Sequence, residues 1–287
     1  MLISPGPFVR ELFRRIKEDE VTALAAQLTY HLILAFFPFL FFLLTLAGYT
    51  NIAGEKVLTE LGRLLPSNTY DTVLQIIYEL LEQRSSTLLS FSMLATVWIA
   101  STGLSAITRG INKAFDQRET RPIWKLKIFS VIYTIGFALI LLLLFIAIVF
   151  GEIFGKYIFD FLGYPHLFSS VWNTVRYIMS FVSAFLLLAA IYFLLPNRKM
   201  KFREIIPGSI FSSFLWIFIS LLFSFYVNNF NNYSRIYGSI GGVMVLLLWL
   251  YWSSIIILTG GEINATLSHR RQSKGLKKIF KKRQVTE

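Results

Sequence analysis

The sequence predicts an all-α integral membrane protein with six transmembrane helices and both termini in the cytoplasm. Composition is the first observation that favours this fold. The mean hydropathy is +0.61 and only 15% of the 287 residues are charged, whereas a soluble domain carries about 25% charge. The second observation is that the apolar residues occur in blocks near the roughly 20 residues that span a bilayer. The third is the uneven distribution of lysine and arginine along the chain.

Six apolar segments within residues 22–268 are each bounded by charged or turn residues, and we predict that all six cross the membrane. The third segment is the most uniformly apolar. The second is rich in serine and threonine, which predicts that it lies inside the bundle and not against lipid. The predicted spans are 22–49, 88–108, 127–150, 174–195, 207–229 and 238–265.

Lysine and arginine fix the predicted orientation. The segments before the first span, between the second and third, between the fourth and fifth, and after the sixth contain 22 of the 28 basic residues. Short cytoplasmic flanks are enriched in these residues. The pattern therefore predicts cytoplasmic termini and a basic face that attracts anionic lipid headgroups.

Three further segments have amphipathic patterns. Residues 6–18, within the predicted cytoplasmic region 1–21, place Phe8 and Phe13 on one face with basic residues around the rest, which predicts an interfacial helix. The basic tail 269–287 repeats this pattern. The outer loop 51–87 has apolar residues at helical spacing, which predicts one or two amphipathic helices on the outer face.

Polar residues interrupt the first predicted span. Gln27, His31 and Pro38 lie on one helical face, and Tyr30 is next to His31. Polar groups at membrane depth are costly, so this face should turn inward or toward a water-filled cavity. Two interpretations stay open here. One is a packed Tyr–His pair with a structural kink at the proline, and the other is a cavity-lining or proton-sensitive site.

Charged residues end the second and sixth spans at matching predicted depth. Arg109 follows the second span and Glu262 lies near the end of the sixth. We predict that they form an ion pair, which would make both charges tolerable near the hydrocarbon edge; the alternative is that each reaches water separately. The remaining candidate polar residues on these two spans are Ser101, Ser105, Asn112, Tyr251 and Asn264.

Sequence signatures of enzymes are absent from the chain. The three histidines, His31, His166 and His269, fall in different predicted compartments, and the chain has no cysteine. No pattern typical of zinc, phosphate or nucleophile sites occurs. We therefore predict no catalytic residues, no metal, no cofactor and no nucleic-acid partner, and we expect membrane lipids to be the partners.

Several blocks resemble the YihY/BrkB family of bacterial inner-membrane proteins. They include "ALAAQLTYHLILAFFPFL", "STGLSAITRGINKAFD", Leu195-Pro196-Asn197, Pro207-Gly208 and Gly261-Glu262-Ile263-Asn264, and the resemblance covers about residues 10–270. The family often has alanine where Gly261 stands. The resemblance implies a six-helix inner-membrane protein. The family has also carried a ribonuclease BN label, which the residues of this sequence do not support. Transport of lipids or envelope components has been suggested for the family.

Two functional hypotheses follow, with a third ranked far below them. The first is a transporter or flippase for a lipid or another envelope amphiphile, and the alternative is a non-transporting envelope scaffold or assembly protein. A membrane-tethered ribonuclease would need an acid–base or metal site that the sequence lacks. A cavity joining the polar face of the first span to Arg109 would favour transport, and a closed, dry bundle would favour the scaffold.

Overall fold

The computed structural model describes residues 5–49, 86–229 and 241–283, and these residues form seven helices without a strand. Six of the helices are long and apolar enough to cross a membrane, which confirms the predicted all-α, six-span architecture. The loop in which outer-face helices are predicted lies outside the described residues, apart from its last two positions. The helices are α1 Pro5–Glu18, α2 Val21–Tyr49, α3 Ser86–Ala114, α4 Ile123–Phe161, α5 Pro165–Leu194, α6 Phe202–Asn229 and α7 Gly241–Arg283.

The helices extend beyond several predicted spans. Helix α4 has 39 residues, which gives a length of about 58 Å, nearly twice the roughly 30 Å hydrocarbon core. Helix α7 continues to Arg283, through residues that we predicted to follow the last span. Hydropathy identifies the part of a helix that fits in hydrocarbon. Backbone hydrogen bonding continues past that part because charged residues also form helices in water.

The six long helices form a closed ring in chain order. Each of them packs against the next, and α7 closes the ring against α2 and also contacts α3. The short helix α1 lies against α7 and α2. The α1–α2 turn, the α3–α4 connection and the α5–α6 connection therefore lie at one end of the bundle, which we call the terminal end.

Small polar side chains fill the interior, and large apolar side chains face outward. Ser101, Ser209, Ser212 and Ser254 are fully buried, and most of the described large hydrophobic residues on α4 are exposed. This is the pattern of a bundle that lies in lipid. The prediction that the second span lies inside the bundle is wrong for the first half of α3. There Phe91 and Leu94 are each 70% exposed.

Glycine permits the closest helix contact, between α6 and α7. A Cβ atom at Gly208 would collide with the Gly260 carbonyl oxygen and the Asn264 side chain. A Cβ atom at Gly260 would collide with the Ser212 and Tyr192 hydroxyl groups. The Tyr192 hydroxyl itself donates to the Ile257 carbonyl at 2.7 Å, which connects α5 to α7. These contacts fix three helices near the terminal end.

Candidate functional site

A basic pocket opens between α2, α3 and the start of α4. The cavity has a volume of about 300 Å³, near the lower limit of the roughly 300–1,000 Å³ typical of small-molecule sites. Three basic side chains and two hydroxyl groups supply its polar surface, and no acidic residue lines it. Its lining residues are His31, Thr102, Ser105, Arg109, Ile123, Leu126 and Lys127.

The deep wall of the basic pocket is organised by hydroxyl groups. The Thr102 hydroxyl donates to the Ile99 carbonyl at 2.5 Å and lies 3.3 Å from His31 Nδ1. A hydroxyl has one hydrogen, so while Thr102 donates to Ile99 the hydrogen of its contact with His31 comes from Nδ1. The Ser105 hydroxyl is 2.8 Å from that of Ser130, which fixes α3 against α4.

Among the residues that the structure describes, no acidic side chain compensates the positive charge of the basic pocket. Arg109 is exposed within it, and no ion pair to Arg109 or Lys127 is found among the described residues. Lys127 Nζ donates to the Trp98 carbonyl at 3.0 Å and lies 4.3 Å from the centre of the Trp98 ring. These contacts hold the ammonium group but do not neutralise it, so the pocket attracts anions.

An apolar groove lies next to the basic pocket along α3. It has a volume of about 420 Å³ and is lined by Phe91, Leu94, Ala95, Trp98 and Ile99. Trp98 lines the groove, and the ammonium group of Lys127, which lines the pocket, lies over the Trp98 ring. Phe91, Trp98, Ser105 and Arg109 repeat at helical spacing, so groove and pocket form one stripe about 27 Å long.

Arg109 and Glu262 do not form the predicted ion pair. Arg109 lines the basic pocket, whereas Glu262 is 1% exposed and its Oε2 atom has no hydrogen-bond partner among the described residues. The two residues lie at similar depth, but depth does not fix the direction in which a side chain points. The α3 positions that approach α7 are Gly110, which faces Leu258, and Ile111, which faces Gly261.

Glu262 is fully buried on α7, and Asp19 is half-buried in the turn between α1 and α2. Burial raises the pKa of Asp19 above its usual range, while the positive charges of Lys113 and Arg15 oppose that rise. Glu262 Oε2 is buried and receives no hydrogen bond from an amine, amide or hydroxyl group of the described residues. The sequence gives no signal for Asp19, because it lies among other charged residues, with no spacing that relates it to α7.

Asn112 connects two loops at the terminal end and does not line the pocket. Its amide donates to Glu119 Oε2 at 2.9 Å, and its carbonyl oxygen accepts from the Asn197 N–H at 2.7 Å. Arg121 binds both oxygens of Glu119 at 2.7 Å and donates to the Leu195 carbonyl. We call these five residues the loop latch. The hydrogen bonds from Arg121 lower the pKa of Glu119.

Three of the predicted site residues, Gln27, Tyr30 and Pro38, belong to α2 but do not line the basic pocket. Tyr30 is 58% exposed and meets the His31 ring edge-on, with centroids 5.5 Å apart. Gln27 is exposed on the same helix, and Pro38 lies inside it, half-buried. The structure therefore brings Tyr30 and His31 together but places only His31 in the basic pocket.

The other three predicted residues pack the interior. Ser101 is fully buried and donates to the Trp98 carbonyl of its own helix. Tyr251 is half-buried and packs against the cluster of buried residues that includes Leu258. The Asn264 side-chain oxygen accepts from the Gly208 N–H at 2.7 Å, so this residue contributes to the close contact of α6 with α7.

The comparisons with known proteins agree on one family. The family model described as Virulence factor BrkB matches residues 12–284, nearly the whole chain. The chain belongs to the BrkB family. A relative in Bacillus subtilis, named as the ribonuclease-like protein YfkH, is 39% identical over 92% of this chain and 96% of its own length. A UPF0761 membrane protein of Alteromonas mediterranea is 26% identical over 94% of this chain and 92% of its own length.

Membership of the BrkB family makes this chain a multi-pass membrane protein of bacterial type, in agreement with its six apolar helices. No solved structure matches the chain. The ribonuclease-like name belongs to the Bacillus relative. In the part of the chain that the structure describes, no group of three or more histidine, aspartate or glutamate side chains could hold a metal ion.

The three short blocks of the BrkB resemblance fall at contacts between helices and loops. Leu195 and Asn197 belong to the loop latch, and Gly208 meets Asn264 at the α6–α7 contact. The predicted site does not include two polar residues of the pocket, Thr102 and Lys127. Thr102 shares a helical face with Arg109, which indicates its place. Nothing in the spacing of Lys127 relates it to His31.

Proposed function

We propose that this BrkB-family protein moves an amphiphile with an anionic headgroup between the two leaflets of the membrane. The observation that carries the proposal is the basic pocket with an apolar groove next to it, the two being linked by the contact of Lys127 with Trp98. A phosphate-bearing headgroup fits the pocket chemistry because arginine binds phosphate oxygens in a bidentate way and lysine binds them as a point charge. An acyl chain fits the groove, which presents only apolar side chains and tryptophan.

The depth of the pocket residues supports movement as well as binding. Along their helices, Arg109 lies about 8 Å from the end of α3 and His31 about 15 Å from the start of α2. Ser105 and Thr102 come between Arg109 and the outer half of α3. A headgroup could therefore exchange its partners stepwise from the terminal end toward the middle of the membrane, with a polar partner at each step.

The charge count supports entry from the cytoplasmic leaflet. It predicts that the terminal end faces the cytoplasm, where anionic lipids and a dense set of basic residues would meet. A bound anionic headgroup would supply the charge opposite to Arg109 and Lys127, which no acidic side chain lining the pocket supplies. We place the basic pocket on the route of the amphiphile and assign no step to a metal or cofactor.

The test is lipid movement in reconstituted vesicles. Purified protein is placed in liposomes that contain fluorescent analogues of phosphatidylglycerol or phosphatidylcholine, and a membrane-impermeant quencher reports the outer leaflet over time. We expect faster exchange of the anionic analogue than in protein-free vesicles. Lys127→Gln should slow it about tenfold, the effect of losing one charged hydrogen bond.

Lys125→Gln is the matched control for that variant. Lys125 lies two residues away and stacks beside Trp124, outside the basic pocket, so its loss should leave the rate unchanged. Equal rates with and without the protein, for every headgroup tested and with the protein folded, would contradict the proposal. That outcome would favour the envelope scaffold instead.

A further inference from the structure

A second pocket with basic side chains opens between α6 and α7, at the terminal end of the bundle. It has a volume of about 490 Å³ and is lined by Arg203, Ile206, Pro207 and Arg271. None of these residues lines the basic pocket between α2, α3 and α4. We call this second cavity the two-arginine pocket.

A proline explains why Arg271 is held at the two-arginine pocket. In an α-helix, each N–H donates to the carbonyl four residues earlier, and Pro207 lies inside α6 four residues after Arg203. Proline has no N–H, so the Arg203 carbonyl lacks this partner. Arg271 Nη1 donates to that carbonyl oxygen at 3.3 Å. This bond crosses from α7 to α6 and fixes one guanidinium group at the pocket.

The positive charge of the two-arginine pocket has no acidic partner in the described part of the chain. Both arginine side chains are exposed, and neither forms an ion pair with a described residue. The neighbouring Glu204 is engaged elsewhere, since it accepts from Arg198 at 2.9 Å and from Ser268 at 3.1 Å. Two guanidinium groups that line one cavity attract anions, and their planar forks match the oxygens of a phosphate.

The two-arginine pocket lies at the boundary of two membrane spans. By hydropathy, the α6 span begins at Phe202 and the α7 span ends at Arg271. The polar headgroups of a bilayer lie at this boundary, next to the hydrocarbon core. A lipid phosphate therefore reaches the depth of both arginines without leaving its own layer of the membrane.

Exposed apolar side chains continue the same face of α6 toward the centre of the membrane. Ile210 and Phe214 come about two and three helical turns after Arg203, so the three residues share one face. Ile210 is 47% exposed and Phe214 is 66% exposed. The remaining lining of the pocket, Ile206 and Pro207, is also apolar. These side chains favour a phosphate that carries acyl chains over a free phosphate ion.

We propose that the two-arginine pocket binds the phosphate of an anionic phospholipid, whose acyl chain lies along Ile210 and Phe214. The lipid is a resident ligand that bridges α6 and α7 on the terminal side of their closest contact, at Gly208. A zwitterionic lipid should bind more weakly, because its headgroup carries a cation that the arginines repel. The site holds its lipid without moving it, so it does not depend on the proposed function.

The test measures lipid binding at the site itself. The chain has no cysteine, so Phe214→Cys introduces a single position for a fluorescent label next to the expected acyl chain. The labelled protein is placed in phosphatidylcholine bilayers with increasing fractions of brominated phosphatidylglycerol, whose chains quench the label on contact. A parallel series uses brominated phosphatidylcholine. We expect phosphatidylglycerol to bind about tenfold more tightly than phosphatidylcholine, the effect of one charged hydrogen bond.

Arg203→Gln is the decisive variant. The backbone carbonyl at this position still accepts from Arg271, so the fold should be retained while one guanidinium group is lost. The preference for phosphatidylglycerol should fall in this variant and disappear when Arg271→Gln is added.

Two control variants should retain the preference. Lys199→Gln removes an exposed cation from the α5–α6 connection, outside the two-arginine pocket. Lys127→Gln changes only the basic pocket. Because Lys127→Gln should slow lipid movement and leave this preference unchanged, failure of the resident-lipid site and failure of the proposed function are distinguishable.

Three results would overturn the proposal. One is equal quenching by the two brominated lipids, and another is a preference that persists unchanged in Arg203→Gln and in the double variant. The third is loss of the preference when inorganic phosphate is added at constant ionic strength, which would make the pocket a site for free phosphate and not for a lipid.

Discussion

At the scale of single residues, the absence of a side chain at Gly260 decides how closely α6 and α7 approach. A methyl group there would enter the space of the Ser212 and Tyr192 hydroxyls, both buried and both hydrogen-bonded to carbonyls of α7. We expect Gly260→Ala to lower stability by at least about 3 kcal/mol, the upper range for overpacking a dense interior. Thermal unfolding in detergent, followed by loss of monodisperse protein, measures the change.

Gly136→Ala is the control for that substitution. Gly136 also lies within a membrane-spanning helix, and an added Cβ there would meet nothing within 4 Å. Its effect should stay within about 1 kcal/mol, the difference in helix propensity between glycine and alanine. Equal thermal stability of Gly260→Ala and the unmodified chain would show that α6 and α7 can separate without cost.

The hydrogen bonds of the Asn112 side chain should also contribute strongly to the stability of the protein. Asn112→Leu keeps a similar volume but leaves the Asn197 N–H and Glu119 without their partner. We expect a loss of about 1–3 kcal/mol, the cost of an unsatisfied buried polar group. Asn229→Leu is the control, because Asn229 is exposed at the other end of α6 and donates to the Phe225 carbonyl of its own helix. A larger loss from the control would contradict the role of the loop latch.

At the scale of elements, the loop latch should weaken as the solution is made acidic. Hydrogen bonds from Arg121 lower the pKa of Glu119, so its stabilising contribution is complete above the ordinary glutamate value of about 4.3. It is lost as the pH falls through the lowered value. The protection of amide hydrogens at 115–122, measured relative to the intrinsic exchange rate at each pH, should therefore fall in acid.

Arg121→Met tests the prediction that the loop latch is lost at low pH. Without the guanidinium group, the Glu119 carboxylate loses its bidentate partner, and exchange at 115–122 should already be fast at neutral pH. Lys199→Met, which removes a cation from the facing connection, should retain the acid response. If Arg121→Met showed the same acid profile as the unmodified chain, another group would control these loops.

The elements themselves were largely predictable from the sequence. Hydropathy is a local property, so all six spans were found, whereas helix ends such as Arg283 were not. Within the basic pocket, His31, Ser105 and Arg109 were predictable because each is a polar residue on one face of an apolar helix. Lys127 was not, because its proximity to them depends on how α4 is rotated against α3. The Arg109–Glu262 pair failed for the same reason: sequence gives depth along a helix but not direction around it.

At the scale of the whole molecule, the closed ring of helices places its connections at two ends with very different charge. The terminal end gathers α1 and the connections after α3 and α5, which contain most of the basic residues. The α4–α5 connection lies at the opposite end. The positive-inside tendency therefore predicts that the terminal end faces the cytoplasm, and the proposed entry of an anionic headgroup depends on that orientation.

Cysteine labelling in intact cells tests this orientation directly, since the chain has no native cysteine. Arg118→Cys and Lys199→Cys, in the two connections at the terminal end, should react with a membrane-impermeant maleimide only after the membrane is opened. Lys156→Cys, near the opposite end of α4, should react in intact cells. Reaction of Arg118→Cys from outside would reverse the topology, and with it the side from which the basic pocket receives its headgroup.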